Sequence, residues 1–171
     1  YYRVKVTSGA CTAYSTTVTI TVNQTSVGGA VAISGNNTVC TGTNSTTFNL
    51  SGNTGSVTGW QWSSTADFAT ANAVVNTTTT LTASNLTASR YYRAVVKNGV
   101  CAAVNSNAAL ITVSPITVAG TLNGSATVCT GTNSTTLSLT GNTGSVTKWQ
   151  LATNNTFTTG LTDIANTATT Y

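Results

Sequence analysis

The stretch TVCTGTNSTTFNLSGNTGSVTGWQ, which begins at Thr38, recurs as TVCTGTNSTTLSLTGNTGSVTKWQ from Thr127, 89 residues further on. A second pair, YYRVKVTSGAC from Tyr1 and YYRAVVKNGVC from Tyr91, recurs with a spacing of 90. The chain is therefore read by its repeat and not by its length. A unit near 90 residues is too long for a solenoid repeat and suits a small self-contained β domain. The expected division is the tail of one unit (residues 1–24), a complete unit (25–114) and the front of a third (115–171). Tyr171 corresponds to Leu81, so the third unit stops short of its own Tyr-Tyr-Arg segment.

Comparison of the copies gives the strands and their faces. Between TTFNLS at Thr46 and TTLSLT at Thr135, Phe48 becomes Leu137 and Leu50 stays Leu139, while Asn49 and Ser51 exchange only for polar residues. That alternation with period two is the mark of a half-buried strand. Trp60 matches Trp149, Trp62 matches Leu151, and Gly59 is replaced by Lys148, which places that position in water. In YYRAVV the even positions Tyr92, Ala94 and Val96 stay apolar and point inward. The expected core is Phe48, Leu50, Trp60, Tyr92 and, in the next unit, Trp149. Strands are predicted near 29–34, 46–51, 57–63, 72–76, 79–84, 90–97 and 107–114. Seven short strands rich in Thr, Val and Ala, separated by Gly and Asn turns, give an all-β fold of tandem immunoglobulin-like β-sandwich domains. The connections, Asn23 to Gly28 and Ser114 to Gly120, are short and lack a Gly/Ser run, so the beads should form a semi-rigid rod.

Composition narrows function by subtraction. Only 5% of residues are charged, His and Met are absent, and the acids are Asp67 and Asp163 alone, at non-equivalent positions. A hydroxyl or thiol nucleophile would have no imidazole beside it, and glycoside hydrolysis needs two neighbouring carboxylates. Calcium sites need several carboxylate oxygens. We expect no enzyme, no cofactor and no metal. The net charge of +4 comes from six dispersed cations against two acids, five of the cations in the two copies of one strand, which is not the basic stripe of a nucleic-acid surface. No apolar run is long enough to cross a bilayer, so direct membrane insertion is not expected.

Four cysteines form two repeated positions: Cys40 and Cys129, and Cys11 and Cys101. Their number alone permits three pairings. Cys11 lies a strand length from the following unit, beyond the roughly 7 Å that disulfide Cα atoms allow, which removes Cys11 with Cys40. The expected bridge is Cys40 with Cys101 inside the complete unit, with Cys11 and Cys129 partnered outside these 171 residues. Such a bridge would place the protein in an oxidising compartment. Buried free thiols are the alternative; a zinc site would need four clustered ligands where each unit offers two. Trp60 and Trp62 could stack on sugars, but their shared inward face reads as core. Tyr91 and Arg93, on the outward face, are the better candidates for contact with a ligand. Nine Asn-X-Ser/Thr sequons, from Asn23 to Asn154, are weak signals in a chain so rich in Asn and Thr.

The order TVCTGTNSTT, GSVTGWQWS, YYRAVVKNGVC and ALITVS resembles the immunoglobulin-like repeats of very large cell-surface proteins of gliding Bacteroidota, the SprB family of gliding-motility adhesins. The resemblance covers the whole chain. It implies export by the type IX secretion system, an extracellular location at the outer membrane, and a structural stalk within an adhesin filament that serves gliding and attachment. The implied partners are neighbouring repeats of the same chain and, through other regions, surface polysaccharide or the gliding machinery. A weak carbohydrate site on each repeat, strengthened by multivalency, is the alternative.

Overall fold

The computed structural model describes all 171 residues as strands, turns and extended segments, with no helix. The first unit contributes a hairpin of β1 (Lys5–Ser8) and β2 (Cys11–Tyr14), turning at Gly9 with φ +58°. The complete unit holds β3 (Ala30–Ser34), β4 (Thr38–Cys40), β5 (Ser45–Ser51), β6 (Ser56–Ser63), β7 (Asn72–Val74), β8 (Thr80–Ser84), β9 (Arg90–Lys97), β10 (Val104–Asn105) and β11 (Ala109–Ser114). The last unit contributes β12 (Thr121–Asn123), β13 (Ser138–Thr140), β14 (Trp149–Leu151) and β15 (Thr162–Ile164). Each of the seven strands predicted for the complete unit is present. The two that the sequence did not reveal, β4 and β10, are three and two residues long.

The complete unit is a two-sheet sandwich. One sheet runs β3-β5-β8 and the other β4-β11-β9-β6-β7, with β10 added to β9. All pairs are antiparallel except β4 with β11, where the chain crosses from the first sheet to the second and runs alongside the last strand. The core lies between the sheets. Val31, Phe48, Leu50, Leu81 and Ala83 face Val57, Trp60, Tyr92, Ala94, Val96 and Ile111, and Leu86 closes one side. Phe48 and Tyr92 meet across the layers with ring centroids 4.6 Å apart. Burial of side chains of this size contributes roughly 1.5–3 kcal/mol each. The expected core residues Phe48, Leu50, Trp60 and Tyr92 are all buried, whereas Trp149 is half-buried.

Strand β6 carries a feature that alternation alone misses. Val57 and Trp60 are three residues apart, and strict alternation would send them to opposite faces. A bulge between Val57 and Gly59, opposite Val96 and Val95 of β9, brings both inward. Trp60 then buries its ring and donates its indole N–H to the Thr78 carbonyl at 3.0 Å, and Trp149 repeats the bond to Ala168. In the first unit, Tyr2, Val4 and Val6 occupy the places of buried Tyr92, Ala94 and Val96 and are mostly exposed.

Candidate functional site: the poles where repeats meet

Each sandwich has two poles, and chemistry-bearing side chains gather there. At the entry pole the connection from the preceding unit is bonded into the complete one. Val27 and Thr54 exchange backbone hydrogen bonds of 3.1 and 3.0 Å. Asn98, in the turn after β9, donates its backbone N–H to Ser26 Oγ and its side-chain amide to the Gln24 carbonyl, both at 2.9 Å. Gly28 lies so close to the Asn105 carbonyl of β10 that a Cβ would overlap it, and this fixes glycine there. The next junction repeats the anchor: Val118 and Thr143 exchange bonds of 3.1 and 2.9 Å. The connection is thus part of the following sandwich.

The exit pole is built by β4. Its parallel register places Thr38 opposite Thr112 and Cys40 opposite Ser114, and the Thr41 N–H donates to the Ser114 carbonyl at 2.8 Å. Asn44 locks this end. Its amide donates to the carbonyls of Cys40 and Leu86 at 2.7 and 2.8 Å, and its oxygen accepts the Leu86 N–H at 2.9 Å. Of the nine sequon asparagines, Asn44 is therefore already committed to the fold.

This geometry corrects the expected pairing of Cys40 with Cys101. Cys40 sits at the exit pole beside Ser114, whereas Cys101 follows the other end of β9 and places its Sγ 3.2 Å from the Gln24 carbonyl at the entry pole. Strand β9, eight residues long, separates the two poles by about 25 Å at 3.3 Å per residue, several times what a disulfide spans. The sequence argument removed Cys11 with Cys40 on distance but left β4 unplaced, and that short strand carries Cys40 away from Cys101. All four cysteines have free thiols; Cys11, Cys40 and Cys129 are exposed and Cys101 is partly exposed, so the buried-thiol alternative does not describe them either.

The outward face of β9 holds Tyr91 and Arg93, both half-buried. The Arg93 guanidinium is already engaged: Nε donates to Gln61 Oε1 at 2.8 Å, and its carbon lies 3.9 Å from the centre of the Phe68 ring. Phe68 is buried in a left-handed conformation, φ +55°, in a turn organised by Asp67. Asp67 accepts from Thr65 Oγ1 at 2.6 Å and from the Ala69 N–H at 3.0 Å, and these two bonds, the hydroxyl first, hold its carboxyl below the usual 3.8. Trp62, expected in the core beside Trp60, is only half-buried and is covered by the Arg90 guanidinium at 3.9 Å. Tyr91 stands opposite Ser63 on β6 and Leu110 on β11. On this face Arg93 is engaged by internal contacts, and no three His, Cys, Asp or Glu side chains gather to ligate a metal.

No match is found among curated proteins. Two successive spans, residues 29–115 and 118–171, match one family model and meet at the connection after Pro115. The chain belongs to the family described as Domain of unknown function (DUF8696).

Proposed function

We propose that these repeats are a structural stalk: sandwich beads in tandem that hold an adhesive or motile element away from the surface of a bacterial cell. The observation that carries this reading is the connection itself, bonded backbone to backbone into the following bead at both junctions, Val27 with Thr54 and Val118 with Thr143. A linker used this way loses its freedom to bend, and reach per residue rises. A surface of Thr, Ser and Asn with few charges suits a spacer that is inert toward its surroundings. The likeness to gliding-motility adhesin repeats supplies the setting: an exported filament at the outer membrane, serving gliding and attachment.

The test is made on cells. Antibodies raised against the complete unit should decorate intact, unpermeabilised cells, and removal of whole repeats from the array should shorten surface filaments while the protein is still exported. Labelling only after the cells are broken would reject the proposal. The carbohydrate-binding alternative gains nothing from the Tyr91 and Arg93 face, where Arg93 is held by Gln61 and Phe68. Binding of the complete unit on a glycan array, abolished by Tyr91→Ala, would reinstate it.

A further inference from the structure

We propose that the two cysteines of each unit form disulfides between successive repeats: Cys40 with the equivalent of Cys101 in the following repeat, and Cys101 with the equivalent of Cys40 in the preceding one. The repeat lets one junction be assembled from two halves that the structure shows separately. At the exit pole the Thr41 N–H, next to Cys40, donates to the Ser114 carbonyl at 2.8 Å. At the entry pole the Cys101 Sγ lies 3.9 Å from the Asn23 carbonyl and 3.2 Å from that of Gln24. Asn23 and Ser114 are the same position in successive copies, in ITVNQ and ITVSP. Both cysteines therefore converge on one carbonyl of the connection, one from each side of the junction, within the range that a disulfide closes with small adjustments of side chain and backbone.

Placement and exposure agree with this. Val39 packs against the core, so Cys40, the next residue of β4, turns away from it and is exposed, and Cys101 is partly exposed. Neither thiol fills space in the sandwich, so core packing does not account for the two cysteines at equivalent places in the copies. Within these 171 residues, no cysteine meets its proposed partner: Cys11 and Cys101 are entry-pole residues of successive units, and Cys40 and Cys129 are exit-pole residues. Each bridge forms one S–S bond from two thiols and releases two protons and two electrons. The electrons pass by thiol–disulfide exchange to a disulfide-bearing oxidant of the exported space, which is reduced to its dithiol.

The inference rests on the array continuing in both directions and not on the stalk's role in motility. The experiment is non-reducing peptide mapping by mass spectrometry of the parent protein isolated from cells, with free thiols alkylated at lysis. The expected result is a peptide containing Cys40 linked to the peptide that follows Tyr-Tyr-Arg in the next repeat, with Cys40→Ser freeing that one partner thiol and no other. In the 171-residue chain alone, all four thiols should react with an alkylating agent under native conditions. A Cys40–Cys101 link within one repeat, or complete alkylation of both residues in the parent protein, would overturn the proposal while leaving surface labelling of the filament unaffected.

Discussion

Between the two copies of the β6–β7 pair, two side chains change together: Gly59 and Ala73 in one unit are Lys148 and Asp163 in the next. Lys148 Nζ lies 2.6 Å from Asp163 Oδ2, and Gln150 donates to the other carboxylate oxygen at 2.9 Å, so the copies differ by a whole cross-strand pair. The pair is exposed, and Lys148→Ala should leave the melting temperature unchanged within error. Replacing core side chains should do far more. Phe48→Ala removes a fully buried ring that touches Tyr92 across the layers, with an expected cost of about 3–5 kcal/mol in chemical denaturation. Asn44→Ala unties three hydrogen bonds at the exit pole and should cost about 1–3 kcal/mol, because carbonyls of the turns lose their donor. Asp67 titrates below 3.8 in the folded chain because the Thr65 hydroxyl and Ala69 N–H bond its charged form. Its contribution is complete above 3.8 and disappears as pH falls through the lower folded value; Asp163, held low by Lys148 and Gln150, behaves alike. Melting curves should therefore weaken only on the acid side, with no histidine transition near neutrality. A stability loss centred near pH 6.5, the ordinary histidine range, would contradict this.

At the scale of elements, Gly28 joins the connection to β10 at a distance no side chain tolerates. Gly28→Ala must push the Asn105 carbonyl aside, with an expected loss of about 1–3 kcal/mol in the unit's unfolding free energy; an unchanged midpoint would show the connection to be loosely held. The strands themselves were legible because each longer one carries its own alternation: Phe48 and Leu50 on β5, Tyr92, Ala94 and Val96 on β9. Two copies sharpened the signal, since Gly59 against Lys148 named a solvent position that one copy would have left open. What stayed hidden was non-local. Three residues of β4 are too few to show a period, and their partner β11 lies more than seventy positions away, so nothing near Cys40 announced which pole it occupies. The β6 bulge was equally silent, since only pairing with β9 reveals it. Arg93 was read correctly as outward, but its commitment to Gln61 and Phe68 depends on a turn whose left-handed Phe68 no local pattern suggested.

For the whole molecule, the account predicts a line of beads whose joints are as ordered as their interiors. The docked connection supplies the stiffness, and the proposed bridges would make each joint resistant to pulling along the filament. Reduction should then loosen the joints and spare the beads, whose cores contain no cysteine. The central claim of a stiff array is tested most directly by small-angle X-ray scattering on chains containing increasing numbers of complete repeats. The account predicts a maximum dimension that grows linearly, by about 40 Å per repeat. Growth with the square root of repeat number, as for beads on flexible tethers, would contradict it.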